Sequence, residues 1–268
     1  MTILDTLAAH ARARTQRNKQ KLPEEEIRKT ALAMNADTGF PFEKALAEPG
    51  MSFICEVKKA SPSKGLIAPF FPYLEIAKEY EQAGASAISC LTEPDFFLGS
   101  DEYLRGIAKE VKIPILRKDF TVDPYMIYEA KVMGASAVLL ICAILTDEEL
   151  VEFGKTARAL GLSVLAEAHD EREVERALKV EKAIIGVNNR DLRNFTVDCQ
   201  NSVRLRKLVP KDRLFVSESG IRTAEDIEVL RRCGTDAVLI GETLMRSSDK
   251  AGELKRLRGD HERWMGRI

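Results

Sequence analysis

Short apolar runs recur along this chain at a regular spacing, each separated from the next by an amphipathic stretch. They fall at 53–57, 87–91, 113–116, 137–141, 163–166, 184–187, 214–217 and 237–240. Their starts lie roughly 20–35 residues apart, the length of a strand, a loop and a crossover helix. A repeat runs through the same segments. Gly84-Ala85-Ser86-Ala87-Ile88 returns as Gly134-Ala135-Ser136-Ala137-Val138 and, more loosely, as Gly234-Thr235-Asp236-Ala237-Val238. In each copy a glycine ends a helical stretch, where a left-handed residue is needed, and opens a strand. Helix starts fall between the runs: Asp123 before Pro124, and Thr146 and Asp170 each three residues before a glutamate, Glu149 and Glu173. Alternating strands and helices predict a parallel sheet. Eight such units predict closure into a (β/α)8 TIM barrel over 51–268. The alternative is a doubly wound open sheet, but no G-x-G-x-x-G follows the first run.

Residues 1–50 carry a different pattern. They read as helical over 3–20 and 23–34, with Glu24, Glu25 and Glu26 in a first turn where they complement the helix dipole. An N-terminal helical extension packed on the barrel is expected, giving a single domain overall. The arginines and lysines of 12–21 are expected to form a solvated face. The tail 261–268 has no assigned role, and Trp264 is expected to dock on the barrel surface.

Composition narrows the class of function. In 268 residues, a 45% hydrophobic content supports a sizeable core. The 41 basic and 42 acidic residues leave a net charge of −1, which offers no basic footprint for nucleic acid. The five cysteines, Cys55, Cys90, Cys142, Cys199 and Cys233, are scattered with no C-x-x-C pair. Free thiols in a reducing compartment are expected, and neither a disulfide framework nor a metal site. The N-terminus lacks the apolar run of a secretory signal, and no stretch approaches the roughly 18 apolar residues of a membrane span. A cytoplasmic enzyme without membrane or nucleic-acid partners is therefore expected, as a monomer or weak homodimer.

Strand parity then selects candidate chemistry. In a barrel alternate strand residues point inward, and activity sits at the C-terminal rim. Glu56 and Lys58 are two apart at the end of the first run. Lys118 shares parity with Leu116, and Glu167, Asn188 and Glu218 end the fifth, sixth and seventh runs. Six inward polar residues at one mouth exceed what a core of aliphatic strands produces by accident. Lys59 and Arg117 are bystanders by the same rule. His169 is also read as structural, with outward parity and a place at a helix start. Ser219-Gly220 and Gly241-Glu242 follow the seventh and eighth runs, the two loops that often build a phosphate site in such barrels.

The segment Glu56-Val57-Lys58-Lys59-Ala60-Ser61-Pro62-Ser63-Lys64-Gly65 resembles the first-strand signature of the indole-3-glycerol-phosphate synthase family. Further matches are Leu91-Thr92-Glu93 with Phe97, Leu116 to Phe120, Gly186 to Leu192, Val216 to Ile221 and Leu239 to Met245. Ile3-Leu4-Asp5 is similar to the family's N-terminal extension. The resemblance implies closure of 1-(2-carboxyphenylamino)-1-deoxyribulose 5-phosphate to indole-3-glycerol phosphate, with loss of carbon dioxide and water and no cofactor. It implies Lys118 as general acid, Lys58 as partner of the substrate carboxylate and second acid, and Glu167 as base. It further implies that Glu56 and Glu218 hold lysines or hydroxyls, and that Asn188 binds substrate or orients Glu56. Ser219, Gly220, Gly241 and the backbone of Glu242 would grip the phosphate, with the Glu242 side chain turned away. Ser61 and Arg190 would contact substrate, and Phe97 and Phe120 would flank its ring. Lys118, partly desolvated, is expected to have a pKa lowered towards neutrality. A phosphoribosylanthranilate isomerase-like barrel would instead need a cysteine–aspartate pair, and Cys55 has outward parity. A non-catalytic barrel would be expected to lack Lys118 or Glu167.

Overall fold

The computed structural model describes residues 2–191 and 195–259. Leu192, Trp264 and the tail 261–268 lie outside the described residues. Eight parallel strands close into a barrel in sequence order. They are β1 (Ser52–Val57), β2 (Ala87–Leu91), β3 (Ile115–Lys118), β4 (Ala137–Ile141), β5 (Ser163–Ala168), β6 (Ile184–Asn188), β7 (Phe215–Glu218) and β8 (Ala237–Ile240). A two-stranded hairpin, Ala60–Ser61 with Gly65–Leu66, follows β1.

Four strands extend past their apolar runs, and the extra residues include Lys118, Glu167, Asn188 and Glu218 of the predicted site. Register pairs Leu91 with Lys118, Ile141 with Glu167 and Asn188 with Glu218. Ladder pairing depends on backbone groups, so a polar side chain at the mouth leaves it intact. The third strand starts at Ile115 rather than 113, because Pro114 has no N–H to donate and contributes only its carbonyl, to Ile88.

Parity divides the core in two. Ile54, Leu116, Leu139, Leu165, Val216 and Leu239 fill the barrel interior. Phe53, Cys55, Ile88, Val138, Val164 and Val238 face the outer helices. All five cysteines are free, and Cys55, Cys90 and Cys142 are buried. The predicted helix signals hold. Asp123 accepts from Tyr125 N–H at 2.9 Å, and Gly134 ends its helix at φ 92°. Thr146 and Glu149 form a complete capping box. At Asp170 only half of one forms, because Glu173 turns to His169 instead.

Three helices precede the barrel: α1 (Ile3–Lys21), α2 (Glu24–Ala33) and α3 (Pro41–Leu46). The last lies at the strand starts, where Ser52 Oγ donates to Ala45 O at 3.0 Å. Its Phe42 and Leu46 continue the interior core, together with Leu7, Ala8 and Ala11 of α1. The basic stretch of α1 is only partly a solvated face. Arg12, Arg17 and Lys21 are exposed. Arg14, by contrast, reaches buried Asp119 at 2.6 Å, and Lys19 bridges Asp123 and Glu24 at 2.8 Å each. The helix is bound by charge to the segment after β3, where Asp119 also neighbours the buried Arg117 of that strand. The Arg117 guanidinium contacts Glu129 and Asp101 at 3.2 Å each and lies 3.7 Å from Asp119.

Burial opposes charge on Asp119, but Arg14, Arg117 and a hydrogen bond from Thr92 outweigh it and hold the carboxyl below its usual range. A depressed pKa contributes stability that is present above the unfolded value, about 3.9, and lost as pH falls through the folded value. Replacing Arg14 by Ala is expected to cost about 1–3 kcal/mol at neutral pH. It should also raise the pH of acid unfolding. Urea titrations at neutral and acidic pH measure both, and an unchanged acid midpoint would show that Arg14 does not hold Asp119.

Candidate active site

All fourteen residues expected at the site line one cavity of about 550 Å³ at the C-terminal mouth of the barrel. Six come from the strand ends by parity, and they meet as pairs. Lys58 Nζ lies 2.6 Å from Glu56 Oε1. Lys118 Nζ lies 3.2 Å from Glu167 Oε2 and 3.7 Å from Glu218 Oε2. The Lys118 side chain is 17% exposed, and those of Glu167 and Glu218 only 2%.

These distances set the titration. Burial disfavours the Lys118 ammonium, but Glu167, Glu218 and Glu56 outweigh burial and raise its pKa above the ordinary lysine value. The expected lowering towards neutrality is thus reversed, because desolvation comes with three carboxylates. Glu167 is also opposed by burial, yet Lys118, His169 and Asn188 hold its pKa down. Glu218 goes the other way. Burial, then the neighbouring Glu167, push it up to about 8. Two carboxylates share one ammonium, and the nearer one keeps the charge.

Asn188 was expected to bind substrate or orient Glu56. It lines the cavity, its amide supports Glu167, and its Oδ1 accepts from Arg190 N–H at 3.0 Å. His169 departs from its expected parity. It stands two residues beyond Glu167, the relation Lys58 has to Glu56, and its Nε2 returns to within 3.5 Å of Glu167 Oε1. The Glu242 carboxylate is turned to Arg246 at 3.2 Å and Lys64 at 3.7 Å. Phe97 and Phe120 face the same cavity with ring centroids 6.0 Å apart.

Several contributors carried no chemical signal in the sequence. Ile3, Leu4 and Leu7 of α1 join Leu139, Ile141 and Leu239 as an apolar wall of the cavity. Glu93 is buried and accepts from the N–H groups of Asp95, Phe96 and Phe97 at 3.0, 2.7 and 2.9 Å, which fixes the loop that carries Phe97. Asn189 donates to Ser219 O and to Ser217 Oγ, both at 3.0 Å, and so pins the loop after β7. That loop holds Ser219 and Gly220 in succession at φ 68° and 83°. The glycines of the rim make room for charge. A Cβ at Gly186 would strike the Glu218 carboxylate, and one at Gly241 would strike Glu56 and come within 2.9 Å of Lys58 Nζ.

Comparison with known proteins identifies the family of the chain. The family model described as indole-3-glycerol phosphate synthase matches residues 4–257. An indole-3-glycerol phosphate synthase of Ruminiclostridium cellulolyticum is 58% identical over 257 residues, covering 96% of this chain and 99% of that one. One from Endomicrobium trichonymphae is 54% identical over 256 residues, with the same coverage of 96% and 99%. Among solved structures, 3-hexulose-6-phosphate synthase from Salmonella typhimurium superposes with a TM-score of 0.63 at 12% identity. It covers 77% of this chain and 96% of its own, and shares the fold alone.

The raised pKa of Glu218 makes a stability prediction. A carboxyl protonated up to about 8 when folded, but ionised above about 4.3 when unfolded, costs progressively more stability as pH rises between those values. Glu218→Gln, which cannot ionise, is expected to gain stability relative to the parent from pH 4.5 to 8 and to hold that gain above. Urea midpoints across this range decide it, and a constant difference would place the Glu218 pKa in the ordinary range.

Proposed function

Because the chain belongs to the indole-3-glycerol phosphate synthase family, we propose that the fourteen cavity residues hold and convert its substrate in distinct roles. The enzyme is a carboxy-lyase of tryptophan biosynthesis. It closes the indole ring of 1-(2-carboxyphenylamino)-1-deoxyribulose 5-phosphate and releases carbon dioxide and water. The observation that carries the roles is the Lys118 ammonium set between Glu167 and Glu218 on the cavity floor.

In the first step the ring carbon bearing the carboxylate attacks the sugar ketone, and the carbonyl oxygen takes a proton from Lys118. Carboxylates keep that ammonium charged, so the acid is always loaded, and its field also stabilises the developing oxyanion. Carbon dioxide then leaves, and its bonding electrons neutralise the iminium nitrogen made by the attack. In the last step Glu167 removes a proton from the carbon beside the new hydroxyl, while Lys58 protonates that hydroxyl as it departs. A carboxylate held ionised suits the base. Glu218, neutral below about pH 8, donates a hydrogen bond to a substrate hydroxyl, and Glu56 keeps Lys58 in place. Asn188 steadies Glu167.

Ser219, Gly220, Gly241 and the backbone of Glu242 receive the phosphate. Two successive left-handed residues turn adjacent N–H groups to one side, the arrangement of an anion nest. Arg190 and Ser61 contact the substrate at the edge, and Phe97 and Phe120 flank its ring. Residues 1–50 work with the barrel 51–268 as one unit. The protein acts in the cytoplasm as a monomer or weak homodimer, independent of nucleic acid and of any cofactor.

Purified protein given this substrate should develop indole fluorescence, and its absence from folded protein would reject the assignment. Lys118→Ala should lower kcat by about 10²–10⁴-fold with the fold intact. Near-normal turnover would remove Lys118 from the acid role. Gly241→Val should raise KM, and, because its side chain enters the Glu56–Lys58 pair, lower kcat as well. A change in KM alone would separate the phosphate loop from that pair.

A further inference from the structure

The reaction uses one side of Glu167. Its Oε2 faces Lys118, while its Oε1 faces the imidazole of His169 at 3.5 Å. That imidazole is held as a built element. Glu173 Oε2 accepts from the His169 backbone N–H at 2.8 Å and sits 3.0 Å from its Nδ1. Asn201 donates to the His169 carbonyl at 3.1 Å and to that of Asn188 at 3.4 Å, which joins the two strand ends. His169 Nε2 is buried and makes no hydrogen bond in this arrangement. The ring's side chain is 18% exposed, and it lines an adjoining cavity of about 850 Å³ rather than the one that holds Glu167.

We infer that His169 is the positioning residue for Glu167: a cationic imidazole clamped by Glu173, it pins one carboxylate oxygen and leaves the other to the substrate side. The inference rests on Glu167 being the base. Two carboxylates flank the ring, so a doubly protonated imidazole turns an N–H towards each, whereas a neutral one would turn a lone pair towards one of them. Burial opposes the charge, but Glu173 and Glu167, with Glu218 behind, outweigh it and raise the imidazole pKa. The other charged groups facing the ring's cavity are Asp5 from α1, Asp170, and Arg190, Asp191 and Asp198 of the loop after β6. Arg204 and Lys207, in and just after the helix Gln200–Arg206, complete the set among the described residues. The glutamate–imidazole–glutamate line also accounts for the incomplete capping box at Asp170. The glutamate that would close it is occupied with His169.

The test compares kcat, KM and the pH dependence of kcat in the parent, Glu167→Gln, His169→Gln, His169→Ala and Glu173→Gln, each with its thermal melt. Glu167→Gln should abolish turnover; if it does not, the base assignment itself fails, whatever His169 does. With that established, His169→Gln should lower kcat about 10–100-fold with KM little changed. The acid limb of its kcat profile should rise by about one pH unit, because Glu167 has lost a cation. Imidazole added to His169→Ala should enter from the adjoining cavity and restore part of kcat. Glu173→Gln leaves the ring in place but returns it towards its ordinary pKa, so its kcat should decline at lower pH than in the parent. Unmoved pH limbs in both His169→Gln and Glu173→Gln, or a change confined to KM, would overturn the inference.

Discussion

The Lys118 ammonium has two glutamate carboxylates within 3.7 Å in a mouth that water reaches only in part, and the buried charge of this end of the barrel depends on it. A carboxylate buried alone would take up a proton, and a lysine buried alone would lose one. Together they hold each other charged, but one ammonium cannot hold both glutamates equally. The nearer, Glu167, stays ionised, and the farther, Glu218, becomes a carboxylic acid in the neutral range. An ionised carboxylate, an ammonium and a neutral carboxylic acid thus arise from two residue types and a difference of half an ångström. Their titrations are coupled, so a change at one site is felt at the others.

That arrangement requires space as well as charge. Gly186 leaves the gap that the Glu218 carboxylate occupies, and Gly241 does the same for the Glu56–Lys58 pair. The loops are fixed by side chains that spend all their hydrogen bonds on backbone or neighbouring groups, Glu93 on one side and Asn189 on the other. The N-terminal helix closes the apolar side with Ile3, Leu4 and Leu7. Its Arg14 grips Asp119, the residue between Lys118 and Phe120. The extension is therefore part of the wall of the site as well as a layer upon the barrel.

Strand parity was legible in the sequence because it depends only on counting by two from an aliphatic core. That count brought Glu56, Lys58, Lys118, Glu167, Asn188 and Glu218 to one mouth, but it misplaced His169, which shares the parity of Glu167. Strand ends were less legible, since hydrophobicity marks where a strand is buried and not where its ladder stops. The direction of the Lys118 shift was missed because desolvation and charge act in opposite senses, and only distance says which prevails. Arg14 looked like a solvated residue because its partner lies 105 positions away. Gly186 and Gly241 carry no side chain to announce what they make room for.

Burying these charges works against folding, and the barrel places them where the loss is smallest. Below the mouth the interior is aliphatic, and a second apolar shell joins the strands to the helices, so the charged layer sits on a floor already closed to water. The buried lysines and glutamates there pair with one another, whereas the second oxygen of Glu218 is buried without a hydrogen bond. A neutral carboxyl tolerates that position far better than an ionised one. The same protonation that spares the fold an unpaired charge leaves a hydrogen-bond donor at the cavity, so under the proposed roles stability and chemistry favour the same proton.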